Sequence, residues 1–214
     1  RSRRQRQMCI RDRLKGKDVI GFRPGSNPIV FLETALRKHG LDPQKDVKLL
    51  NNIGIPARAG AWMAGQGEYG IFLEPEAGEL VRNGKGYIVA SVGHEVGQVD
   101  YTVFTATDKY IRDNPKVIQA WTDVVARAEK YVKDTPAATL TPQIMTFFPG
   151  MDQGAVTEAI ERYKQYQIWK TSPLVTAEAM AKLQDMLVAS AVMKETARVK
   201  YEDVVVADFA KKVP

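Results

Sequence analysis

The chain has 214 residues, of which 44% are hydrophobic and 26% are charged, a balance typical of proteins with a sizeable buried core. The sequence contains no run of about 18 apolar residues, so it predicts no transmembrane helix. A formal net charge of +6 suggests nucleic acid or a membrane surface as a partner, unless that charge is confined to one segment.

The positive charge lies almost wholly in residues 1–13. This segment holds six arginines and one aspartate, which leaves residues 14–214 with a net charge of +1. We interpret residues 1–13 as a non-native segment, because the string Met8–Arg13 resembles translated sequencing adapter; a nucleic-acid-binding arm is the alternative. The single cysteine, Cys9, lies here, and a chain otherwise without thiols suits an oxidising compartment. We therefore predict neither a nucleic-acid partner nor membrane insertion.

Residues 14–92 alternate short apolar runs with stretches of helical periodicity. The predicted strands are Asp18–Phe22, Val47–Asn51, Tyr69–Leu73 and Tyr87–Val92. The predicted helices are Asn27–His39, which ends at Gly40, then Pro56–Gly65 and Glu74–Val81. This alternation indicates βαβ units and a mainly parallel sheet, and hence an α/β fold.

The pattern changes after one more predicted strand, Tyr101–Ala106. Helices are predicted to begin at Asn114, Asp152 and Thr176, each of which can act as an N-cap. The first of these helices carries a broad apolar face, formed by Val117, Ile118, Trp121, Val124, Val125, Ala128, Tyr131 and Val132. The sequence offers almost no strands for these helices to cover, so we interpret this half as a domain whose sheet is mostly missing. Gly93–Gln98 is the expected crossing between the two halves.

The strand–loop–helix at Asp18–Pro28 is the first candidate site. Asn27 can cap a helix whose first residue is Pro28, and the loop before it contains Arg23, Gly25 and Ser26. A helix N-terminus with small residues and a hydroxyl is suited to an anion or another hydrogen-bond acceptor. An ordinary turn explains the same residues, and Arg23 is either an anion partner or a solvated surface charge.

Two further candidates follow predicted strands, at the end where open α/β sheets bind ligands. Gly54 follows the second strand and allows close approach of backbone to a ligand, although plain turn chemistry also accounts for it. Glu74 follows the third strand, where its carboxylate either accepts a hydrogen bond from a ligand amine or caps the next helix.

The sequence gives no positive sign of catalysis. His39 is expected at a helix end, as a partner of the helix dipole, and His94 is expected in the crossing segment beside Glu95. Two histidines without native cysteine support no zinc site, and neither a dinucleotide-binding glycine fingerprint nor a Gly-x-Ser-x-Gly elbow occurs. We predict no catalytic residue, no metal site, no cofactor and no enzymatic activity.

Several motifs together resemble one family. In chain order they are Leu14–Gly21, Pro24-Gly25-Ser26, Gly40-Leu41-Asp42-Pro43, Ala64-Gly65-Gln66, Glu74-Pro75, Tyr101–Ala106, Asn114–Val117 and Tyr201–Asp203. Their order and spacing resemble the solute-binding components of ABC importers, in the group that includes aliphatic-sulfonate, taurine, nitrate and thiamine-precursor binding proteins. The chain departs from many relatives at Gly67-Glu68, where they carry an aspartate, and at Leu73, where they carry an aromatic residue.

The resemblance implies a fold of the periplasmic-binding-protein type, with two α/β lobes that close on a small-molecule ligand. Residues 14–99 would form one complete lobe, and residues 100–214 the mostly helical C-terminal part of an incomplete second lobe in an N-terminally truncated chain. The implied protein is a monomer in the periplasm or another extracytoplasmic space, its signal sequence missing, and its partner is the membrane permease of an ABC importer.

The ligand and two rival functions stay open at this point. Arg23 and Ser26 favour an anion such as a sulfonate, nitrate or bicarbonate, whereas Glu74 favours an amine or a pyrimidine-like solute. An effector-sensing domain of a transcription regulator would require an upstream DNA-binding domain. A thiamine-pyrimidine synthase of the same fold would be expected to carry a cysteine-rich motif, and residues 14–214 have no cysteine.

Overall fold

The computed structural model describes residues 13–213. The strands are β1 (Asp18–Ile20), β2 (Lys48–Leu50) and β3 (Tyr69–Gly70). The helices are α1 (Asn27–Lys38), α2 (Arg58–Met63), α3 (Glu76–Arg82), α4 (Val92–Val96), α5 (Asp108–Asp113), α6 (Pro115–Asp134), α7 (Ala137–Ile144), α8 (Gln153–Gln165), α9 (Ala177–Ala189) and α10 (Tyr201–Val204). The α/β class predicted from the sequence is confirmed.

The described chain divides into two compact units. The first runs to Gly97 and also includes Asp185–Glu195, and the second comprises Gln98–Gln184 and the chain from Thr196 onward. The boundary within α9 means that one continuous helix contributes residues to both units. The two predicted lobes, residues 14–99 and residues 100–214, stay a prediction.

The sheet of the first unit has the strand order β2-β1-β3, and all its pairs are parallel. Val19 lies opposite Leu49 on one side and Tyr69 on the other, so β1 is the central strand. A central strand is covered on both faces, which explains why β1 carries apolar residues: Ile20 is fully buried and Val19 is 3% exposed. The parallel arrangement requires crossover connections, which α1 and α2 provide.

Helix α1 packs an apolar face into the core of the first unit. Its buried apolar residues are Pro28, Ile29, Val30, Phe31, Leu32, Ala35 and Leu36. The helix ends as predicted at Gly40, whose φ of +74° is the left-handed conformation that glycine adopts without strain. The N–H of Gly40 donates to the carbonyl of Arg37 and that of Leu41 to Leu36, which together form a Schellman motif.

Two predicted strands are wrong. Residues 87–91 have no regular structure and Val92 begins α4. The predicted crossing Gly93–Gln98 is therefore mostly helical, and the chain passes from the first unit to the second after Gly97. Tyr101–Ala106 is also irregular. β-Branched and aromatic residues favour a strand only where a neighbouring edge completes the ladder, and the sheet formed by the described residues stops at β2 and β3. Tyr87 is accordingly 92% exposed.

The second unit is helical. Its core cluster joins α7 to α8 through Ala137, Leu140, Val156 and Ile160. The predicted caps of α8 and α9 are confirmed. Asp152 accepts a hydrogen bond from the N–H of Ala155 at 2.9 Å, and Thr176 accepts one from the N–H of Ala179 at 3.1 Å. The predicted apolar face of α6 carries no fully buried residue.

Replacing Gly40 by alanine should lower the free energy of unfolding by about 1 kcal/mol, because alanine is strained at this positive φ. Gly60 supplies the matched control: it lies inside α2 with no atom within 4 Å of an added Cβ, so Gly60→Ala should leave stability unchanged or raise it. Urea unfolding of both variants tests this, and an equal loss at both positions would contradict the role of Gly40.

Candidate ligand-binding site

The candidate site lies where the three strands of the first unit end. Because the strands are parallel, their carboxyl ends share one edge of the sheet, and the loops that follow them lie along that edge. The six residues predicted as ligand contacts all belong to these loops or to the first residue of the next helix: Arg23, Gly25, Ser26, Asn27, Gly54 and Glu74. Whether they contact a ligand stays a prediction.

The loop after β1 differs from its prediction in one position. Ser26, not Asn27, is the N-cap of α1, with φ −82° and ψ 150°, so Asn27 and Pro28 are the first two helical residues. The Ser26 hydroxyl does not cap the helix but donates to the carbonyl of Arg23 at 2.7 Å. Gly25, at φ +78°, makes the turn possible.

The backbone part of the expected anion site is weak. Pro28 has no N–H, so the first turn of α1 offers fewer donors than an ordinary helix N-terminus. Recognition of an anion here would therefore depend on side chains. Arg23 is exposed on this loop, and no ion pair to it is found among residues 13–213.

One of the other two predicted contacts, Glu74, has a structural role. Glu74 accepts a hydrogen bond from the N–H of Gly78 at 3.0 Å, so the helix-capping interpretation of this carboxylate is confirmed. Gly54 precedes a short 3-10 turn with φ −62° and ψ 150°, an extended conformation open to any residue. An added Cβ at Gly54 would meet its nearest atom at 4.0 Å, so neither backbone strain nor crowding requires glycine here.

Asn51 and Gly21 form a close contact at the same edge that the sequence did not reveal. Asn51 follows β2, and its side-chain oxygen is buried and has no hydrogen-bond partner in the described structure. A Cβ added to Gly21, the residue after β1, would lie 2.0 Å from that oxygen. Gly21 is therefore the residue that lets the Asn51 amide lie against the central strand.

Arg58 is the second feature that sequence reasoning missed. It begins α2 and is only 1% exposed, with its guanidinium carbon 3.6 Å from the centre of the Phe22 ring and 5.1 Å from that of Phe72. One terminal nitrogen, Nη2, donates to the carbonyl of Ile71. Burial lowers the pKa of Arg58, partly offset by the negative charge of Glu76.

The histidines take no part in this edge. His39 ends α1 as predicted, and its Nε2 lies 2.9 Å from a carboxylate oxygen of Glu95 on α4. His94 lies within α4, where its backbone N–H donates to the Ser91 hydroxyl, so it is not in an open crossing loop. Over the described ranges, no group of three or more His, Cys, Asp or Glu side chains is placed to hold a metal ion.

An open concavity of about 490 Å³ lies elsewhere, along the outer edge of β2. Its lining runs from Gly16 and Asp18 through the Pro43–Asn51 segment. It contains none of the six predicted contacts, and of the edge residues described above only Asn51 borders it.

None of the helices within residues 13–213 is both long and apolar enough to cross a membrane.

Comparison with known proteins agrees with this architecture. Residues 10–146 match the model of the NMT1-like family. The chain belongs to this family. It is 34% identical over 202 residues to a Bacillus subtilis (strain 168) protein named "Putative binding protein YtlA", a match that covers 94% of this chain and 60% of that relative. The resemblance to solute-binding proteins of the ABC-importer kind is therefore confirmed at the level of the family.

Replacing Gly21 by alanine should destabilise the first unit by about 1–3 kcal/mol, because the new Cβ would overlap the Asn51 side chain. Asn51→Ala removes the opposing atoms, so the double variant should recover much of the loss. Chemical unfolding of the wild type, both single variants and the double variant measures this coupling. Additive losses would show that the Gly21–Asn51 contact does not constrain the sheet edge.

Proposed function

We propose that the protein captures a small solute at the carboxyl edge of its sheet and delivers it to the membrane permease of an ABC importer. The observation that carries this proposal is the alignment of three loops along one edge of a parallel sheet, the place where open α/β sheets bind ligands. Membership in the NMT1-like family and a relative named as a binding protein add to its support.

The proposal assigns the binding of the solute to Arg23, Gly25, Ser26, Asn27, Gly54 and Glu74. Backbone at Gly25 and Gly54 can approach a ligand closely because neither residue has a side chain. The Ser26 hydroxyl can exchange its hydrogen bond to Arg23 for one to the ligand. Candidate solutes are a sulfonate, nitrate, bicarbonate and a pyrimidine. The protein would act as an extracytoplasmic monomer that binds without turnover, and the closure of two lobes stays a prediction.

Isothermal titration of the protein with ethanesulfonate, taurine, nitrate, bicarbonate and an aminopyrimidine tests this function. We expect saturable heat with at least one solute, and the same solute recovered unchanged after long incubation. No heat with any of them would contradict solute binding, and chemical conversion of the bound solute would contradict the non-enzymatic role.

Ser26→Ala should weaken binding of that solute about fivefold, the effect of losing one neutral hydrogen bond. The matched control is Ser190→Ala, because Ser190 contacts Arg37 at the other end of α1, 3.1 Å away. An unchanged affinity in the Ser26 variant would exclude this hydroxyl from the site. Equal losses in both variants would indicate a general effect on the first unit.

A further inference from the structure

Arg58 is the most deeply buried charged side chain among residues 13–213. Other buried ionisable groups in the same unit have partners of opposite character: Glu33 pairs with Arg37 at 3.2 Å and His39 with Glu95 at 2.9 Å. Arg58 differs from them. Its Nε and Nη1 atoms are buried, and no residue of the described chain accepts a hydrogen bond from either.

The remaining contacts of Arg58 do not neutralise its charge. The Phe22 ring covers one face of the guanidinium, and Nη2 donates to the uncharged carbonyl of Ile71. Glu76 is the carboxylate whose charge acts on Arg58, but no ion pair within 4 Å joins the two in the described part of the chain. A buried cation with two unused donors is unfavourable, so its presence calls for a compensating anion.

The position of Arg58 also argues against a purely structural role. The loops that hold its contacts, after β1 and after β3, are the loops that line the carboxyl edge. A guanidinium in this place offers planar, charged donors beside the loops that follow β1 and β3.

We propose that Arg58 binds the anionic group of the solute, and that the ligand is therefore an oxyanion such as a sulfonate, nitrate or bicarbonate and not a neutral pyrimidine. The proposal rests on the proposed function and names its ligand class. Two oxygens of the anion accept hydrogen bonds from Nε and Nη1, which supplies both the missing acceptors and the missing charge.

An anion can reach the buried guanidinium only if a neighbouring side chain moves, and the proposal assigns this movement to Phe72. Phe22 is 4% exposed and fixed in the core, whereas Phe72 is half-buried on the irregular loop after β3. The proposal therefore includes movement of the Phe72 ring when the anion binds. Trp62 packs edge-on against Phe72, with 5.7 Å between the ring centres, so its fluorescence reports this movement.

The first experiment measures anion binding by tryptophan fluorescence. Trp121→Phe and Trp169→Phe leave Trp62 as the single tryptophan of the chain. Titration near neutral pH with ethanesulfonate, nitrate or bicarbonate should change the Trp62 emission saturably, and a neutral aminopyrimidine should not. Saturable binding of the pyrimidine without any response to the anions would overturn the proposal and leave the proposed function intact.

The second experiment compares Arg58→Met with Arg58→Lys and with Arg82→Met, a control at the exposed end of α3. Arg58→Met should weaken anion binding about 10- to 100-fold, Arg58→Lys should retain part of the affinity, and the control should retain all of it. Unchanged anion affinity in Arg58→Met would overturn the proposal, whereas absence of any solute binding by the wild type would contradict the proposed function itself.

Thermal unfolding separates recognition from a structural role. Methionine fills similar space without a buried charge, so Arg58→Met should unfold at the same or a higher temperature than the wild type in the absence of anion. A lower unfolding temperature, matched by that of Glu76→Gln, would show that Arg58 serves a structural pair with Glu76 and would overturn the proposal.

Discussion

Parallel pairing of three short strands is the constraint on which the first unit depends. Because β1 pairs with β2 and β3 in the same direction, each crossover must return the chain to the amino end of the sheet, and the loops after all three strands lie at one edge. Residues that are distant in sequence, such as Phe22, Asn51 and Phe72, thereby follow neighbouring strands. The sheet itself is small, so its contribution is chiefly to align these loops.

Much of this arrangement could be predicted from the sequence. Gly40 ended α1 as expected, and Asp152 and Thr176 capped their helices, because capping depends on the chemistry of a few adjacent residues. Strand formation depends on a neighbouring strand, which the local sequence does not identify. Tyr87–Val92 and Tyr101–Ala106 have the composition of strands, yet neither joins the described sheet. Strand propensity indicates that a segment could pair with a sheet edge, but it does not indicate that such an edge is present.

The candidate site was also predictable only in part, because element order could be read from the sequence and tertiary contacts could not. The loops of Arg23, Gly54 and Glu74 lie at the sheet edge because the order of strands and helices determined their placement. The burial of Arg58 was not predicted, since an arginine at the start of a helix is normally solvated and its environment is set by rings from two other loops. Arg58 is buried by tertiary contacts, and a single sequence does not reveal such contacts.

The division of the chain into two units has a consequence for its connectivity. The backbone passes from one unit to the other after Gly97, after Gln184 and again after Glu195. A protease that cuts one of these connections leaves the units joined by the other two. The segment that ends at Gly97 does not make up the whole first unit, because it lacks Asp185–Glu195 and with it the Ser190 partner of Arg37.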